Sequence, residues 1–162
     1  MTCIAGLTDG KTCAIAGDSG LFEDGDTNIW WPTVHSKVWR IGNALLGACG
    51  GSATEIAQSS KIVDPLKLAE YLKEKQVKDD DPDWDIIIVT RRGLWVVSDD
   101  YTAHKMKRGY HAIGAAAGPA WGALHVAKHL KLPPIEAVRL AVQAACDTHI
   151  YAVAPVVAKE IT

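Results

Sequence analysis

The chain has 162 residues, 48% of them apolar and 22% charged, with a formal net charge of −2. That length suits one domain spanning residues 1–162 with a sizeable core. The charge leaves no basic footprint for nucleic acid and no polybasic membrane patch, and no apolar run approaches the ~18 residues of a membrane span.

Residues 2–8 and 12–18 alternate small and apolar side chains around Asp9-Gly10, a strong hairpin signal. Residues 19–33 hold Gly20, Gly25, Trp30-Trp31 and Pro32 and read as a loop. A second strand pair is expected over 34–41 and 43–49, turning at Gly42-Asn43. A helix follows from Ser52, its expected N-cap, to about Ile62. Pro65 restarts an amphipathic pattern that runs to about Gln76. Residues 78–83 are acidic and read as a solvated loop. Asp85 to Thr90 is a near-continuous apolar strand, expected to be covered on both faces. Residues 94–98 form the next strand, and another extended stretch ends near Ile113. Two helices, about 117–131 and 134–149, are separated at Pro133-Pro134, with Pro134 in a first turn. A last strand is expected over about 152–160. Strands, a helix pair, strands and a helix pair give an α+β order, in which sheets pack on each other with helices outside.

The four cysteines, at 3, 13, 49 and 146, follow no metal-ligand or disulfide-scaffold spacing. The N-terminus lacks the pattern of a secretion signal. A cytoplasmic location is therefore expected. His125 and His129 share a helix face, but no glutamate lies between them as a metalloprotease needs, so no metal site is expected. The chain has no phosphate-binding Gly-x-x-x-x-Gly-Lys-Ser/Thr loop.

Thr2 holds the most chemistry. Removal of Met1 would leave a threonine with a free α-amine. Its hydroxyl is a weak nucleophile until a base takes the proton. An α-amine, with a reference pKa of about 7.7–8.0, is a suitable base near working pH. One residue would thus supply both groups.

Four stretches appear in order: Thr2 to Thr8, Thr12 to Ser19, Ser36-Lys37-Val38-Trp39-Arg40-Ile41, and Gly47-Ala48-Cys49-Gly50-Gly51-Ser52-Ala53. Together they resemble the proteasome β-type and HslV-like N-terminal-nucleophile (Ntn) hydrolase subunits. The resemblance implies a four-layer αββα sandwich. It also implies a threonine peptidase in a self-compartmentalised barrel, a homo-oligomeric ring or double ring. The substrates would be peptides or unfolded proteins. No cofactor is implied, and the usual arrangement adds an AAA+ unfoldase.

By the same resemblance, Thr2 attacks the peptide carbonyl. Lys37 is the cation beside it, lowering the proton affinity of hydroxyl and amine, and Asp18 holds that cation. The N–H of Gly50, at a strand-to-helix turn, is the oxyanion donor. Asp147, in Asp147-Thr148-His149-Ile150-Tyr151, orients the amine. His35, Ala48 and Ser52 line the pocket for the side chain before the scissile bond.

One position departs from the pattern. Ala115, after Gly114, stands where the family carries a serine, so a supporting hydroxyl is missing. Two other readings follow: a non-catalytic ring or shell subunit, and an Ntn amidase acting on a small molecule. Cys3 as nucleophile is disfavoured, because alternation points it away from the face of Thr2.

Overall fold

Alternation in the first hairpin decides how the molecule is layered. In β1 (Ile4–Thr8) and β2 (Cys13–Gly17), Ala5, Leu7, Ala14 and Ala16 face one way and Ile4 and Ile15 the other. Both faces are buried, so each meets a different layer. The computed structural model describes residues 2–21, 31–32, 36–75, 83–150 and 152–162.

β1 and β2 pair antiparallel, and the turn between them is held by Asp9, whose Oδ1 accepts from the N–H groups of Lys11 and Thr12, each at 2.8 Å. Later strands flank the hairpin. β10 (Tyr110–Ile113) pairs with β1 and β11 (Val157–Ile161) with β2, giving the order β10-β1-β2-β11. Over the outer face lie α3 (Ala117–His129) and α4 (Pro134–Thr148). Their buried stripes are mostly alanine, including Ala120, Ala127, Ala137, Ala141 and Ala145, which lets the helices sit close on the sheet.

The second sheet is a meander with the order β5 (Val38–Ile41), β6 (Ala44–Cys49), β7 (Asp85–Thr90), β8 (Gly93–Ser98) and β9 (Ala103–Lys105). Leu46, Ala48, Ile86 and Ile88 turn outward under α1 (Gly51–Ser60) and α2 (Pro65–Glu74). Leu45, Ile87, Val89 and Leu94 turn inward against Ile4 and Ile15. Each such fully buried side chain stabilises the fold by about 1.5–3 kcal/mol.

Two glycines set the spacing of the sheets. A Cβ on Gly47 would lie 2.8 Å from Ile4 Cγ2, and one on Gly6 would lie 2.7 Å from Val89 Cγ2. The result is the expected helix–sheet–sheet–helix order. No described helix is long and apolar enough to cross a membrane.

Several boundaries differ from the sequence reading. α1 is capped by Gly50, with φ 94°, not by Ser52, which already lies inside the first turn. The second helix begins at Pro65, as expected, and is capped by Asp64, whose side chain accepts from the N–H groups of Leu66 and Lys67. Within the expected loop 19–33, the short strands β3 (Gly20–Leu21) and β4 (Trp31–Pro32) pair with each other. The last strand starts at Val157, not 152, because residues 153–155 bond to the end of β2 instead.

Candidate active site

Thr2 stands two residues before β1 and is only 7% exposed. Hydrogen bonds fix its carbonyl and the residue that follows it. Its carbonyl oxygen accepts from the N–H of Ala116 at 3.3 Å. The next residue, Cys3, donates its N–H to Asp18 Oδ1 at 2.8 Å and accepts from the N–H of Asp18 at 3.1 Å.

Asp18 is the hub. Besides Cys3, its Oδ1 takes Lys37 Nζ at 2.9 Å. Its Oδ2 takes the N–H of Gly20 at 3.0 Å and of Val153 at 3.3 Å. The Asp18 side chain is fully buried and that of Lys37 nearly so, at 14% exposure. Such a pair survives burial only when the remaining lone pairs find donors, and here four donors converge on one carboxylate. The segment before β11 closes over this hub. Ser19 donates its N–H to Val153 O at 2.8 Å and its Oγ to Pro155 O at 2.5 Å.

Gly114, with φ 92°, packs against Thr2 so closely that a Cβ would sit 2.2 Å from Thr2 O. Gly114→Ala is therefore expected to displace Thr2 and, with the strain of a Cβ at this φ, to cost about 1–3 kcal/mol of stability. Thermal unfolding of the variant and the unaltered protein checks this.

Across from Thr2, Gly50 ends β6 and opens α1. A Cβ on it would lie 2.4 Å from Trp84 Cβ, so both its φ and its surroundings require glycine. Its carbonyl accepts from the N–H of Thr54 at 3.1 Å, while its N–H has no acceptor among the described residues. Thr2 and Gly50 line one cleft of 430 Å³.

The whole chain matches solved structures that share this layering. One is Thiobacillus denitrificans BPH in complex with Epoxomicin, at TM-score 0.79 and 20% identity over 99% of this chain and 98% of that one. Thiobacillus denitrificans BPH by itself gives 0.75 and 21%, covering 99% and 97%. A eukaryotic HslV from Trypanosoma brucei gives 0.76 and 15%, covering 98% of each chain. The fold is that of the proteasome-like Ntn hydrolases. No protein-family model and no curated protein matches the chain.

In this proteasome-like fold the cleft is built by both sheets. The first supplies Thr2, Gly114 and Ala115, and the second supplies Cys49, Gly50, Asp83 and Asp85. Ala115 is exposed and offers no hydroxyl. Cys49 is a second nucleophilic atom at the cleft, but burial, with Asp85 nearby, pushes its thiol up to about 12. Cys3 is likewise pushed up to about 12, by burial and then by Asp18, and it packs on the helix side of its sheet. Neither thiol holds appreciable thiolate near neutral pH.

Asp147, read from sequence as orienting the Thr2 amine, is placed on α4. It is exposed at the end of that helix, where its Oδ1 accepts from Gln143 Nε2 at 2.7 Å, one helical turn back. Ala48 faces α1 and is buried, with Ser52 in the first turn of that helix. His35 lies outside the described residues.

Sequence reasoning passed over Asp83 and Asp85, reading them as loop and strand start. Their alternation around Trp84 was the available signal. Asp85 is held above the usual carboxylate range, first by burial and then by Asp99, Asp83 and Asp100. Its folded value exceeds its unfolded one, so the native state binds that proton more tightly and loses stability as pH rises through the pair. Asp85→Asn should thus raise the melting temperature at pH 7, and the gain should vanish below about pH 4. Thermal unfolding of both proteins across that range checks it.

Proposed function

We propose that the chain is a threonine-type peptidase subunit. The single observation carrying this is that Thr2 lines a cleft opposite Gly50, while the Asp18–Lys37 pair is bonded to the backbone one residue after Thr2. Once Met1 is removed, the Thr2 amine takes the hydroxyl proton and the oxygen attacks the peptide carbonyl. The N–H of Gly50 receives the oxyanion. Lys37 favours the deprotonated amine and hydroxyl by its charge, and Asp18 fixes the lysine. The amine returns the proton to the leaving nitrogen, and water then hydrolyses the acyl ester. His35, Ala48 and Ser52 would form the pocket for the side chain before the cut bond.

The similar Thiobacillus denitrificans BPH is found in complex with Epoxomicin, so a protein of this fold binds that compound. The resemblance of residues 2–53 to proteasome β-type and HslV-like subunits adds a homo-oligomeric ring and an AAA+ unfoldase as partner. A second reading, a non-catalytic ring subunit, is favoured by one observation: Ala115 supplies no hydroxyl beside Thr2. Hydrolysis of fluorogenic peptides and unfolded casein by the methionine-processed protein separates the two. Cleavage that disappears in Thr2→Ala supports the peptidase. Equal cleavage by both proteins, or none by either, removes that reading.

A further inference from the structure

Of the residues lining the cleft, Gly50, Gly114 and Ala115 carry almost no side chain, whereas Asp83 and Asp85 form an acidic wall. Asp83 and Asp85 flank Trp84, which is 2% exposed and packed among Leu68, Leu72 and Ile86 beneath the outer helices. Successive residues of an extended segment point to opposite faces, so a tryptophan plugged into the outer core turns both neighbours toward the cleft. Trp84 also stands against Gly50, which fixes the acidic wall relative to Thr2.

The Lys37–Asp18 ion pair does not involve the cleft carboxylates, and no other ion pair between described residues reaches them. Asp99 and Asp100 follow β8 directly, beside Asp85, since Ser98 pairs with Asp85 across the sheet. Asp83 and Asp85 share the cleft, and Asp85, bonded to Ser98, feels Asp99, Asp83 and Asp100 as repulsion. A positive charge entering the cleft would relieve this repulsion, whereas an acidic one would worsen it.

We propose that Asp83 and Asp85 select a cationic side chain, lysine or arginine, in a residue flanking the bond that Thr2 attacks. The inference rests on Thr2 being the reactive centre and adds the substrate class that its cleft prefers. Small walls admit the long aliphatic stem, and the two carboxylates receive its head.

Binding tests this without relying on turnover. Fluorescent decapeptides carrying lysine or norleucine at each central position in turn are titrated against the Thr2→Ala protein. At one or two adjacent positions lysine should bind about five- to tenfold more tightly than norleucine. The gap should shrink to under about twofold in a protein also carrying Asp83→Asn and Asp85→Asn. It should also narrow with added salt in the protein with both aspartates intact, a readout that needs no further variant. No lysine preference, or a preference untouched by the two substitutions and by salt, overturns the proposal. Cleavage by the protein with Thr2 intact is scored separately. Lysine selection without cleavage would keep the acidic wall and remove the peptidase reading, while cleavage without lysine selection would do the reverse.

Discussion

Asp18→Asn is expected to lose about 3–5 kcal/mol of stability, because it removes the charge of a fully buried carboxylate on which four donors converge. An asparagine keeps one acceptor oxygen. Its amide would then face either the Cys3 N–H and Lys37 or the N–H groups of Gly20 and Val153, donor against donor. For a chain of this length the loss corresponds to roughly 10 °C or more in melting temperature. Lys37→Met should be milder for stability, since Asp18 retains three backbone donors, yet equally damaging to turnover. Thermal unfolding and peptide hydrolysis, measured together, read both effects. An Asp18→Asn protein with unaltered melting temperature and rate would contradict the role given to this hub.

The second large effect is expected at Gly50. Gly50→Ala places a methyl 2.4 Å from Trp84 Cβ at a residue with φ 94°. Strain of that kind amounts to about 1–3 kcal/mol, so the chain should relieve it by turning the peptide or moving the segment at Trp84. Either response moves the N–H proposed to receive the oxyanion. Loss of one such donor lowers kcat about 10²–10³-fold, and substrate affinity should change little. A folded Gly50→Ala protein with kcat near that of the unaltered one would show that the N–H is not the donor. A rise confined to KM would point to the acidic wall, which Trp84 also carries.

Local signals carried the hairpins and helices, because alternation, turn residues and prolines act within a few positions. β1, β2, β6, β7 and all four helices lie where periodicity placed them. The order of layers needed the resemblance, since nothing local says which face of β1 meets helices and which meets the other sheet. What escaped reading was non-local. Ser52 looked like an N-cap, but the turn into α1 is set by the contact of Gly50 with Trp84, thirty-odd residues away. The early start expected for β11 failed because Val153 and Pro155 bond to Asp18 and Ser19 across the fold. Thr2, Asp18, Lys37 and Gly50 were all named from sequence, and the structure links Asp18 to Lys37 and sets Thr2 and Gly50 on one cleft. Asp147 sits at the end of α4, where its carboxylate accepts from Gln143 one turn back, a local contact that sequence spacing alone does not reveal. The acidic wall was hidden because Asp83 ends a charged run that reads as solvent-facing.

The central claim is that Thr2 acts through its own hydroxyl and its own amine. The intact mass of the purified protein, before and after incubation with a peptide epoxyketone, tests it most directly, because that reagent needs both groups on one N-terminal residue. The account predicts a mass lacking methionine and a stoichiometric adduct that disappears in Thr2→Ala. A protein that has lost its methionine and gains no adduct, or an adduct that persists in Thr2→Ala, would contradict it.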